Sequence, residues 1–122
     1  SVVTLERVDC VIDGLRVKRV GETTFAIVRK MVDEIVTLPD ERIFEAMLWT
    51  MSHTKLVVEG AGAAPVAALL DGLIQDRLGD QLGDQGGDQI GDHFGARAGA
   101  NVVCVLSGGN VNLDQLRGMR WN

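Results

Sequence analysis

Residues 63–70 read Ala-Ala-Pro-Val-Ala-Ala-Leu-Leu, a stretch with no charged or hydrogen-bonding side chain. A helix that is apolar all round has no face to turn to water, so it must be covered on all sides. Its small side chains let neighbours approach closely. Such a segment must be buried and closely packed. Pro65 fits in or near the first turn, where a missing N–H does no harm, and Asp71-Gly72 supplies a stop. Gly60-Ala61-Gly62 just before it permits close backbone approach.

A second stretch bears on the fold class. Val102-Val-Cys-Val-Leu106 is a short β-favouring run that stops at Ser107-Gly108-Gly109-Asn110. A buried strand reads this way when it opens into a loop whose backbone approaches something closely. Ligands of open α/β sheets sit beyond the carboxyl ends of the strands. Ile35-Val-Thr-Leu38, halted by Pro39, is a second β run, and Lys55–Glu59 looks superficially like another, but Gly60-Ala61-Gly62 follow at once, leaving two good strands.

Helices alternate with these runs. Phe25, Val28 and Val32 recur at helical spacing in 23–32, with Arg29 and Lys30 near the negative pole of the helix. Pro39-Asp40-Glu41 opens another helix, with Ile43, Phe44, Met47, Leu48 and Met51 on a broad apolar face, ending near His53-Thr54. Residues 1–20 read as extended and loop segments, and Leu113–Arg117 as a short helix. The order argues α/β with a parallel sheet. A parallel sheet needs several strands covered on both faces, so further strands are expected from outside this chain.

Leu78-Gly-Asp-Gln81, Leu82-Gly-Asp-Gln85, Gly86-Gly-Asp-Gln89 and Ile90-Gly-Asp-His93 form a four-residue repeat. A glycine every fourth residue costs a helix roughly 1 kcal/mol each. Residues at about 78–100 are therefore expected to be a solvated low-complexity insertion. The spacing does not match calcium loops, which need alternating oxygen ligands around one ion.

The net charge is −5, from 17 acidic and 12 basic residues without a basic cluster, which argues against nucleic acid. No apolar run approaches the ~18 residues of a membrane span, and no secretory leader opens the chain. Cys10 and Cys104, in apolar contexts, read as reduced core thiols of a cytoplasmic protein. No His, Cys or carboxylate cluster has metal-ligand spacing. The Ser107–Asn110 loop is consistent with a ligand loop or with a tight turn capped by Asn110 or Asn112. Glu59 reads as a carboxylate at a helix N-terminus, and His53 as a partner of a helix C-terminus.

Three stretches carry a resemblance. Ile12-Asp-Gly-Leu-Arg-Val17 with Gly21-Glu-Thr-Thr-Phe25, Lys55-Leu-Val-Val-Glu-Gly-Ala-Gly-Ala-Ala64, and Val103 to Asn112 resemble, in order and spacing, segments of threonine dehydratases and serine racemases. These are pyridoxal-phosphate enzymes of fold type II, with a three-layer tryptophan synthase β-like fold of parallel strands flanked by helices. The resemblance implies the following. The chain is the C-terminal part of one catalytic domain, without a regulatory domain. Ser107 is a neutral hydrogen-bonding partner of the cofactor's pyridine nitrogen, within a loop that includes Gly108, Gly109 and Asn110. Glu59 and Gly21 lie near the cofactor. Lys55 and Asn110 match nucleotide-effector positions of serine racemases.

The Schiff-base lysine and the phosphate loop of that family have no counterpart here. The chain alone is therefore expected to be inactive and to need a missing N-terminal part. With it, the expectation is a homo-oligomeric, cytoplasmic lyase that deaminates threonine or serine to a 2-oxo acid and ammonia, as in isoleucine biosynthesis. A serine racemase and a non-catalytic assembly module of the same fold are the alternatives.

Overall fold

The computed structural model describes residues 1–73 and 101–118. Four helices occur in them: α1 (Glu22–Met31), α2 (Asp40–Thr54), α3 (Gly60–Leu70) and α4 (Leu113–Gly118), with a 3₁₀ turn at Asp13–Leu15. The repeat at about 78–100 lies outside the described residues.

The core is the α2–α3 interface. Ile43, Ala46, Met47 and Thr50 are buried at i, i+3, i+4 and i+7 on α2. That stripe is narrower than the expected face; Phe44, Leu48 and Met51 flank it half-buried. Opposite lie Ala63, Val66 and Ala67 of α3, joined by Ile12 and Val58. Six of the eleven residues of α3 are buried, as its lack of polar side chains requires. The 3₁₀ turn also packs on α3.

Each helix end has a chemical cause. Pro39 is the N-cap of α2, extended at φ −63° and ψ 145°. The Asp40 carboxylate reaches back to accept the Val11 N–H at 2.8 Å and the Cys10 thiol at 3.3 Å, tying residues 10–11 to the helix start. At the other end of α2, Lys55 adopts a left-handed conformation, φ 63°, and its N–H bonds the Met51 carbonyl. His53, in the last turn, stacks on Trp49 at 4.2 Å and hydrogen-bonds the Trp49 carbonyl.

Helix α3 ends in a Schellman motif. Gly72, at φ 70°, donates to the Leu69 carbonyl, and Leu73 donates to that of Ala68. Arg42 of α2 holds Asp71 with two nitrogens, at 3.0 and 3.2 Å, and also pairs with Glu45. These two acidic partners raise the Arg42 pKa.

Two expectations shift. Helix α3 starts at Gly60, a turn early by composition, so Pro65 lies in its second turn and provides no N–H for the Ala61 carbonyl. And no β-strand occurs among the described residues. Residues 102–106 nevertheless alternate: Val102, Cys104 and Leu106 are half-buried, while Val103 and Val105 are 87% and 70% exposed. The inner face packs against the helical core, where the Cys104 thiol donates to the Pro65 carbonyl at 3.7 Å. The period of two is that of a strand. A strand also needs a neighbouring backbone to bond, and the expected sheet is not present in these segments.

Candidate cofactor loop

The Ser107–Asn110 loop is seated on the N-terminus of α3. Glu59, the N-cap of that helix, donates its N–H to the Gly108 carbonyl at 3.3 Å. Its side chain makes no capping hydrogen bond; it lies against Gly108 instead. A Cβ on Gly108 would come within 2.6 Å of Glu59 Cγ, closer still to the carboxyl group. Gly108 also has φ +67°, which L side chains rarely adopt. The backbone therefore favours glycine at 108, and a side chain there would also have to displace that of Glu59. The expected cap at Glu59 is right in position; the carboxylate's negative charge still favours the helix pole, but its packing partner is the loop.

The loop's last residues divide the roles that the sequence left open. Asn112 Oδ1 accepts the Asp114 N–H at 2.9 Å and so caps α4. Asn110 instead faces a small cavity of about 70 Å³, together with Asp13, Gly14, Glu59 and Gly60. Parts of the three segments that carry the resemblance thus meet at one place: the 3₁₀ turn within residues 12–17, the head of α3 and the Ser107–Asn110 loop.

Ser107 is exposed, and its hydroxyl has no hydrogen-bond partner among the described residues. Gly109 is open as well, with only the Val57 carbonyl near its missing Cβ, at 3.6 Å. Gly21 is not brought to this place. It is the N-cap of α1, which carries no buried residue; the nearest atom to a side chain there would be the hydroxyl of Thr24 in its own helix. Lys55 is exposed, and its ammonium is engaged by the Ser52 carbonyl at the end of α2.

Sequence reasoning missed two contributors. Asp13-Gly14 counted only as part of a motif, yet it lines the cavity. Gly62 counted only as a small residue, yet the Ser107 backbone rests on it. The spacing of small residues in Gly60-Ala-Gly-Ala-Ala64 was the available signal.

Neither cysteine is disulfide-bonded, and both are half-buried. Burial raises both thiol pKa values above their ordinary value of 9.0; at Cys10 the neighbouring Asp40 adds to this. They are protonated, unreactive thiols at neutral pH.

The geometry is that of a loop and a helix head presenting a neutral hydroxyl and two exposed glycines, one of them packed on Glu59, beside the carboxylates of Glu59 and Asp13. Residues 1–85 match the profile of the family described as "Pyridoxal-phosphate dependent enzyme". The chain belongs to that family, whose members have a tryptophan synthase β-like fold and depend on pyridoxal phosphate. Among curated proteins, it is similar to an L-threonine ammonia-lyase of Geobacter sulfurreducens, 40% identical over 101 residues, 83% of this chain and 20% of that protein. It is also similar to "L-threonine dehydratase catabolic TdcB" of Staphylococcus aureus. Strain USA300 gives 38% identity over 117 residues, 95% of this chain and 29% of the relative; strain N315 gives 36% over 107 residues, 88% and 26%. The chain therefore spans between a fifth and under a third of the length of these relatives.

The residues present suit the family's cofactor. A pyridine nitrogen needs one in-plane hydrogen-bonding partner, and a hydroxyl can either donate or accept. A flat ring needs backbone without side chains at its edge, which Gly108 and Gly109 provide.

Proposed function

We propose that this chain forms the ring-nitrogen wall of a pyridoxal-phosphate-dependent threonine dehydratase, which deaminates threonine, and serine, to a 2-oxo acid and ammonia. The observation that carries this reading is the seating of the Ser107 loop on the head of α3, with its hydroxyl exposed and unpartnered among the described residues. The names of the relatives support the dehydratase reading over a serine racemase.

Pyridoxal phosphate, when bound, supplies the electron sink for the pair left by the substrate's α-proton. Ser107 would hold its ring nitrogen through a neutral hydrogen bond. A hydroxyl adds no formal charge there, unlike an aspartate, and so does not enforce ring protonation. That moderates the sink, which suits expulsion of a β-hydroxyl. Gly108, Gly109 and Asn110 would line the ring edge. Glu59 would hold the loop from below and keep negative charge close to it. Gly21 belongs to this set by resemblance alone, and here it heads a helix with no contact to the loop. The amine that abstracts the proton comes from the remainder of the domain, together with the phosphate cradle.

The working enzyme is then a homo-oligomer of the longer chain, acting on amino acids in the cytoplasm. The name of the Staphylococcus aureus relatives points to a catabolic role, beside the isoleucine-forming one that the same reaction serves.

A coupled assay for 2-oxobutanoate tests the division of labour. The isolated 122-residue chain with pyridoxal phosphate and threonine is expected to give no turnover above free cofactor. Turnover by the isolated chain would overturn the one-wall reading.

A further inference from the structure

The Ser107 loop and α3 touch through glycines, and Gly62 has a role different from its neighbours. A Cβ at Gly62 would collide with the Ser107 carbonyl oxygen and stand 2.8 Å from the Ser107 carbonyl carbon and 2.9 Å from its amide nitrogen. All three are backbone atoms, so no rotamer change relieves the collision; the peptide itself must move. Gly60 differs, because the obstructing atoms there belong to the Ile12 side chain, at 2.8 and 2.9 Å. Gly14 differs too, meeting the Ala61 methyl at 2.7 Å. Gly62 is buried in the first turn of α3, so the floor beneath Ser107 is as rigid as the core helix.

We propose that Gly62 is a positioning residue: its missing Cβ seats the Ser107 carbonyl, and that seat sets the height of the Ser107 hydroxyl at the cofactor's ring nitrogen. The inference rests on the cofactor reading above. Restoring ordinary contact between a new methyl and the Ser107 peptide takes a displacement on the order of 1 Å. The useful window of a hydrogen bond is only about half an ångström wide, so the hydroxyl would leave it.

The test uses the isotope-labelled longer enzyme that contains this chain and supplies the phosphate cradle, with 4-deoxypyridoxine 5′-phosphate. This probe keeps the pyridine nitrogen and the phosphate but has no aldehyde to react with Lys18, Lys30 or Lys55. Titration is expected to shift the amide signals of Ser107–Asn110. Gly62→Ala and Ser107→Ala are each expected to weaken the dissociation constant about tenfold, and the double variant no further, because both remove the same hydrogen bond. Gly72→Ala is expected to lower the melting temperature while holding probe affinity within about twofold, since it strains the C-terminal end of α3 and not the loop.

Wild-type affinity in Gly62→Ala, with a responding wild-type loop, overturns the inference alone. A wild-type loop that ignores the probe overturns the cofactor reading and the inference with it. If Gly62→Ala loses its fold, a nuclear Overhauser contact between the Gly62 α-protons and Ser107 in the wild type decides: its presence supports the seat, and its absence overturns it.

Discussion

Two positions carry a cost that their neighbours must offset. Lys55 ends α2 at φ 63°, a conformation that costs an L residue roughly 1–2 kcal/mol and glycine almost nothing. Its ammonium recovers part of this on the Ser52 carbonyl. Lys55→Gly is expected to stabilise the fold by about 0.5–1 kcal/mol, after the greater entropy of glycine in the unfolded chain is deducted; urea denaturation checks it. Thr50 is 1% exposed and, among the described residues, its hydroxyl oxygen has no hydrogen-bond partner. Replacing it with valine removes the unsatisfied oxygen and keeps the branched shape. Thr50→Val should raise stability by about 1 kcal/mol, and a lowered denaturation midpoint would show that the hydroxyl is satisfied in solution. Neither position was legible in the sequence. A lysine after a helix gives no hint of a left-handed backbone, and a threonine within an apolar stripe looks like a boundary residue.

Among the elements, legibility followed the strength of the local signal. Helices α1 and α2 were readable from period and end charges, because period, proline and dipole agree there. The end of α3 was readable from Asp71-Gly72, since the φ of 70° at Gly72 is the conformation for which glycine is preferred. Gly72→Ala is therefore expected to cost about 1 kcal/mol, measured as a lower denaturation midpoint with unchanged slope. The start of α3 was hidden for the opposite reason. Gly60 and Gly62 are poor helix formers and mark a loop by composition. Tertiary contact overrides propensity: Ile12 and the Ser107 backbone occupy the space where side chains would stand. The same contact explains why the candidate site was half legible. Ser107 and Glu59 announce themselves as polar groups beside glycines, whereas Gly62 acts through what it lacks.

At the scale of the molecule, the buried set among the described residues is small and the exposed apolar set is large. Beyond the α2–α3 core, Ile35 is 77% and Met31 69% exposed, and Val103 and Val105 project outward from a segment with strand-like alternation. The curated relatives that the chain resembles are several times longer than the chain. Among the described residues, 102–106 present an outward apolar face and backbone without a ladder partner, a combination that invites edge-to-edge association. The strand pattern was legible because alternation is local; the pairing was not, because partners come from distant sequence. Val103→Lys with Val105→Lys is expected to reduce binding of a hydrophobic dye and concentration-dependent association of the isolated chain. The midpoint of the α2–α3 core should stay within about 0.5 kcal/mol, as for surface changes generally. Sedimentation and dye fluorescence read the first effect, urea denaturation the second. If association persists unchanged while the core midpoint falls, the two valines belong to the core of the isolated chain and the face awaiting a partner lies elsewhere.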